Sequence, residues 1–196
     1  MSKLLISLMA AAGIAFAGAA SAAGDQTTMS RDAYKAQKDK IEAQYKADKD
    51  QCKPQSGNAK DVCEADAKGK EKVAKADLEA QYKNTDKARY DARVAKADAD
   101  YDVAKEKCDD LKGNQKDVCV KEAKAAHTKA KADAKVARAE NEQTMKTANK
   151  TADVKRDAAE DKRDADYKVA KEKCDALSGA AKDKCVSDAK ARYGKT

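Results

Sequence analysis

Tyr34, Ile41, Tyr45 and Cys52 stand seven, four and seven residues apart in a stretch otherwise made of Ala, Lys, Asp, Glu and Gln. At 100° per residue the four fall within about 20° of one line on a helix surface. The line recurs as Tyr90, Ala97, Tyr101 and Cys108. In a third copy Tyr167 again precedes Cys174 by seven, while Arg156 occupies the place of Tyr34 and Tyr90. Past the next cysteine of the second copy the stripe continues through Cys119, Ala123, Ala126, Ala130, Ala134 and Ala137. The pattern predicts helices that each carry a cysteine on their apolar stripe, on either side of a short connection.

The connection is the same in every copy. The segments CKPQSGNAKDVC, CDDLKGNQKDVC and CDALSGAAKDKC hold two cysteines eleven positions apart, with Gly57-Asn58, Gly113-Asn114 or Gly179-Ala180 at the midpoint. In one continuous helix eleven residues span about 16 Å, beyond the roughly 4.4–6.8 Å between Cα atoms that a disulfide needs. In a helical hairpin the two cysteines meet. Glycine is the preferred left-handed residue just past a helix end, and asparagine is a good N-cap for the next helix. Asp61 and Asp117 then favour the positive end of the second helix, and Pro54 fits near a helix end better than inside a rod.

The spacing therefore predicts an all-α fold of three disulfide-stapled antiparallel helical hairpins, Cys52–Cys63, Cys108–Cys119 and Cys174–Cys185, with Gly57, Gly113 and Gly179 at the turns. Six cysteines allow fifteen connectivities, and the repeat selects the local ones. Mirroring about each turn sets Ala104 opposite Ala123, Ala97 opposite Ala130 and Ala170 opposite Ala189, with Asp48 opposite Ala67 in the first copy. The units span about 31–82, 87–140 and 153–193. Between them, KNTDK at 83–87 offers Thr85 as a cap, and QTMKTANKTAD at 143–153 is rich in weak helix formers. If both linkers bend back, six helices form an elongated bundle; if neither does, helices of fifty or more residues make a long-helix array.

Composition explains why staples are needed. Beyond residue 22 the chain holds one isoleucine, three leucines, ten valines and no Phe or Trp, far below the roughly one-fifth of Leu, Ile, Val and Phe that a core usually requires. Strong helix formers fill the remainder. Opposite charges recur four apart, as in Glu42 with Lys46, Glu64 with Lys68, Asp66 with Lys70, Asp117 with Lys121 and Asp164 with Lys168, each adding about 0.2–0.5 kcal/mol to an exposed helix. Closing a loop of this size with a disulfide is worth on the order of 3 kcal/mol.

The first residues, MSKLLISLMAAAGIAFAGAASA, have one Lys, an apolar run and small residues ending in Ala20-Ser21-Ala22. That is the layout of a cleaved secretory leader, 1–22, leaving a mature repeat region of 23–196 without a transmembrane anchor. Export makes disulfides permissible and points to the periplasm. Loss of Lys3 with the leader lowers the net charge from +7 to +6. Interleaved signs make a mixed, solvated surface, so nucleic acid is not an expected partner.

Little in the chain resembles catalytic equipment. The single histidine, His127, lies where the third copy has Tyr193 and reads as a partly exposed helix residue; one imidazole does not make a triad or a histidine metal cluster. The cysteines have neither C-x-x-C nor zinc-ligand spacing. No catalytic residue, metal ligand or cofactor is assigned. Tyr34, Tyr45, Tyr90, Tyr101 and Tyr167 read as a seam between helices, with a second reading as adhesive spots for unfolded clients or glycan strands, since a tyrosine ring is flat, apolar and polar-tipped.

The exported start, the Ala/Lys/Asp-rich helices and the Y-x6-C-x10-C unit, through VAKEKCDDLKGNQKDVC, VAKEKCDALSGAAKDKC and AEDKRDADY, resemble small exported proteins of Gram-negative bacteria labelled TolA-like or cell-envelope biogenesis proteins. KAAHTKAKADAKVARA at 124–139 is similar in composition to the helical stalk of TolA, whose membrane anchor and terminal domain have no visible counterpart here. The resemblance implies an envelope location and carries no mechanism. The expectation is a non-enzymatic structural or interaction protein of the envelope, with an envelope protein as partner; the alternative is a holdase-like chaperone or stress-protective protein acting on unfolded clients.

Overall fold

The computed structural model describes residues 29–142 and 147–195. The expected leader, 1–22, lies outside them, as do residues 143–146 of the Thr/Asn-rich linker. Among the described residues there are six α-helices and no strand: α1 (Arg31–Cys52), α2 (Gly57–Lys83), α3 (Asp86–Cys108), α4 (Gly113–Asn141), α5 (Thr147–Cys174) and α6 (Gly179–Tyr193). Both linkers interrupt the helix, which excludes the long-helix alternative. The three hairpins are α1/α2, α3/α4 and α5/α6.

Local chemistry sets several helix ends. Ser30 caps α1 by accepting from the Ala33 N–H at 3.1 Å, and Thr85 caps α3 in the same way from Ala88 at 3.2 Å, as the KNTDK segment predicts. Asn84, at φ 48°, closes α2 in the left-handed conformation, so Asn84 and Thr85 alone join α2 to α3. α6 stops at Gly194, at φ 64°, where the Lys195 N–H returns to the Lys190 carbonyl at 2.9 Å, the backbone pattern that ends helices through a left-handed glycine.

Each helix contacts only its neighbours in the chain: α1 with α2, α2 with α3, α3 with α4, α4 with α5, and α5 with α6. The result is a single row of antiparallel helices. An inner helix of such a row needs two seams on opposite sides, and α3 has them. Tyr90, Ala97, Tyr101 and Cys108 lie toward α4, while Ala88, Ala92, Ala95 and Ala99 lie roughly opposite, toward α2. On α4 the buried Ala123 and Ala134 belong to the α3 side, and the buried Ala125, Ala132 and Ala139, seven apart, to the α5 side. α1, at the edge, has one seam, and Cys52 is its only fully buried residue.

Leu78 is the only buried side chain larger than cysteine among the described residues; alanines and three cysteines supply nearly all of the core. The buried face of α4 departs from the predicted stripe. Ala126 and Ala130 are exposed, so Ala130 does not cover Ala97. Ala97 is nevertheless buried, and the ring contacts from α4 to α3 are made by His127 and Arg138, each one residue past the predicted stripe positions Ala126 and Ala137. Of the five predicted charge pairs Asp66–Lys70 closes at 2.7 Å, whereas Glu42 reaches Lys75 on α2 and Asp164 reaches Lys195, just past the end of α6.

The two interfaces between hairpins differ. Where α2 meets α3, Gly69 is buried, and a Cβ added there would come within 3.1 Å of the Ala99 Cβ. One ion pair crosses, Lys72–Asp98 at 3.4 Å. Where α4 meets α5, six cross: Lys121–Glu172, Lys173–Glu122, Lys129–Asp166, Lys162–Asp133, Lys135–Asp161 and Lys155–Glu140. α4 supplies the lysine in three of them and the acid in the other three.

Candidate functional site

The stapled turn is built alike in all three hairpins. The first helix ends at the cysteine, and two tightened bonds close it: Lys53 N–H to Asp50 and Gln55 N–H to Cys52, then Asp109 to Glu106 and Leu111 to Cys108, then Asp175 to Glu172 and Leu177 to Cys174, all between 3.0 and 3.2 Å. Gly57, Gly113 and Gly179 follow at φ 56°, 54° and 55°, a conformation costly for any residue with a Cβ. The glycines are left-handed as expected but stand at the start of the second helix, not just past the first. Ser56, Lys112 and Ser178 hold the N-cap positions without side-chain cap bonds, and no acid lies in the first turn. Asn58 and Asn114 therefore do not cap, and Asp61 and Asp117 fall a turn too late to meet the helix end.

All six predicted cysteines pair as the repeat implies, with Cα atoms 5.6, 5.7 and 5.7 Å apart. Cys52, Cys108 and Cys174 are buried completely or nearly so. An ion pair braces two of the turns, Lys116–Asp109 at 2.9 Å and Lys182–Asp175 at 2.8 Å. In each, the lysine's hydrogen bond holds the aspartate below the usual carboxylate range, and the aspartate raises the lysine. The first turn has Lys53 in the acid's place, and it pairs back to Asp50 at 2.8 Å.

The predicted tyrosines do not converge. Four of the five form cross-helix rungs inside separate hairpins, and all five are half-buried. An outer rung joins Tyr34 to Tyr82, ring centroids 4.5 Å apart, and its equivalent 56 residues later joins Tyr90 to the Arg138 guanidinium at 5.5 Å. An inner rung joins Tyr101 to His127 at 4.9 Å, and its equivalent in the third hairpin joins Tyr167 to Tyr193 at 6.4 Å. In the first hairpin Tyr45 occupies the inner-rung place and lines a cleft with Ile41 and Glu71. The third hairpin has no outer rung because α6 ends at Tyr193; Arg156, at that place on α5, is exposed and pairs with Asp153 at 3.2 Å.

Polar contacts tie the rungs to the row. The Tyr34 hydroxyl donates to Glu79 at 2.8 Å, which raises the phenol, while Lys83 and then Tyr34 hold Glu79 low. His127 Nε2 meets Asp98 at 2.7 Å, and Lys72 reaches the same carboxylate from α2. Burial alone would raise Asp98; the bonds from His127 and Lys72 outweigh it and leave the carboxyl below its ordinary range. His127 is thus a packed member of the second hairpin, linked through Asp98 to the first. Asn114 Nδ2 donates to the Glu172 carbonyl at 3.1 Å, joining the second turn to the third hairpin.

Alternation of the helices puts all three stapled turns on one edge of the row. Leu111 and Leu177, at equivalent positions of the second and third turns, are the exposed large hydrophobic residues there, at 37% and 45% exposure; the first turn has Gln55 in that place. Their repetition in DDLKG and DALSG is a sequence signal that helix periodicity overlooks, because both residues lie outside the helices. The second seam of α3 is an Ala stripe four, three and four apart, but alanine is so frequent in this chain that the stripe does not stand out.

No protein-family model, curated protein sequence or solved structure matches the chain. Three closed disulfides fit an oxidising compartment. Among the described residues no helix is long and apolar enough to cross a membrane.

Proposed function

We propose that the chain is a non-catalytic structural or interaction element of the cell envelope, exported to the periplasm by its leader, and that its stapled edge is the surface it presents to a partner protein. The observation that carries this reading is the open row of helices. With each helix packed only against its chain neighbours, two broad faces and one edge of covalently closed turns are left for contact, as in repeat proteins that bind through extended surfaces. The resemblance to TolA-like envelope proteins and the three disulfides support the location. Crosslinking mass spectrometry on native, unreduced periplasm tests it. The expected result is a reproducible set of crosslinks from the turn lysines Lys112, Lys116 and Lys182 to one envelope protein. Crosslinks scattered over abundant bystanders, or none beyond the chain itself, would remove the reading.

Exposed Leu111 and Leu177 on that same edge favour a second reading, a holdase that grips apolar segments of unfolded clients. Suppression of aggregation of a reduced model client at near-equimolar ratio, lost on combining Leu111→Ser with Leu177→Ser, is its expected signature; a client that aggregates as fast with the protein as without it ends this reading.

A further inference from the structure

We infer that the contact between α4 and α5 is an electrostatic latch, and that the third hairpin releases from the row as ionic strength rises while the first two stay together. The two inter-hairpin interfaces occupy equivalent places in the repeat but are held differently. At the α2–α3 contact Gly69 lets the backbones approach, only Asn84 and Thr85 join the helices, and one ion pair crosses. At the equivalent place on α4 stands Ala125, one methyl larger. The α4–α5 contact instead carries six ion pairs, with Lys173–Glu122 at 2.7 Å and Lys155–Glu140 at 2.8 Å near its two ends.

Apart from Glu172, which is a fifth exposed, their side chains are a third to two-thirds exposed, so solvent ions reach them. A lone exposed pair contributes little, but six in one register, with the lysine alternating between helices, act together. The screening length falls from about 20 Å at 20 mM salt to about 4 Å at 500 mM. Two hydrogen bonds, Asn114 to Glu172 and Thr151 to Ala139, and the buried alanines remain, and they do not respond to screening in this way.

Amide hydrogen exchange on the full oxidised chain, read helix by helix at 20 and 500 mM NaCl, tests the latch. Protection of α5 and α6 is expected to fall about tenfold across that range, and that of α2 and α3, the internal control, by less than about twofold. Lys162→Glu, which sets two acids against each other at Asp133, should lower α5–α6 protection already at 20 mM, and adding Asp133→Lys should restore it. Equal salt response in all helices, no response in α5 and α6, or a double variant no better than the single one would overturn the latch.

Discussion

Asn114 shows how far one side chain joins two repeats. Its amide reaches the Glu172 carbonyl on α5, while Asn58, its equivalent in the first turn, has a buried Nδ2 without a partner, and the third copy has Ala180, which is exposed. Asn114→Ala is therefore expected to cost about 1 kcal/mol, and Asn58→Ala to stay within about 0.5 kcal/mol of neutral, in paired urea denaturation curves. Equal losses at both positions would contradict this assignment. The departures of the third copy, Arg156 for tyrosine and Ala180 for asparagine, were visible in the sequence. Their reason was not, because it lies in what each residue faces: an α6 too short to reach Arg156, and an edge where no described helix neighbours Ala180.

At the scale of the helix, seam chemistry decides how closely neighbours approach. Gly69→Leu should force α2 from α3 and destabilise by about 1–3 kcal/mol as an overpacked contact. Gly69→Ala should be nearly neutral, since the new Cβ meets Ala99 at 3.1 Å while the helix gains about 1 kcal/mol of propensity. Thermal melts of both variants check the order; a Leu variant as stable as the parent would argue against a close α2–α3 contact. The stapled hairpins were legible because cysteine, glycine and tyrosine are rare and their spacing is conspicuous. The inter-hairpin seams were not, because alanine serves both as seam and as helical filler, and the same letter marks a buried Ala125 and an exposed Ala126.

Charge acts on the same scale. Glu79, Asp98, Asp109, Asp164 and Asp175 are all held below the ordinary carboxylate range by partners in the folded chain. A folded-state value below the unfolded one gives stability that is present above the unfolded value and lost as pH falls through the folded one. Helicity by circular dichroism should thus be flat from pH 7 to about 4 and decline below it. A decline complete by pH 5 would mean that these pairs are not formed in solution.

For the whole molecule, a single row of helices leaves too little buried surface for a conventional core, and the three staples take its place. Among the described residues every buried side chain apart from Leu78 is an alanine or a half-cystine, and each staple removes about 3 kcal/mol of unfolded-state freedom against a typical total stability of about 5–15 kcal/mol. The staples lie on one edge, so each clamps the end of a helix pair whose tyrosine rungs sit further along. The most direct measurement is a thermal melt followed by circular dichroism at pH 7, with and without complete reduction of the disulfides. The melting temperature should fall by about 15 °C or more on reduction, with much of the helix lost at 37 °C. Identical melts of the oxidised and reduced chains would contradict the account.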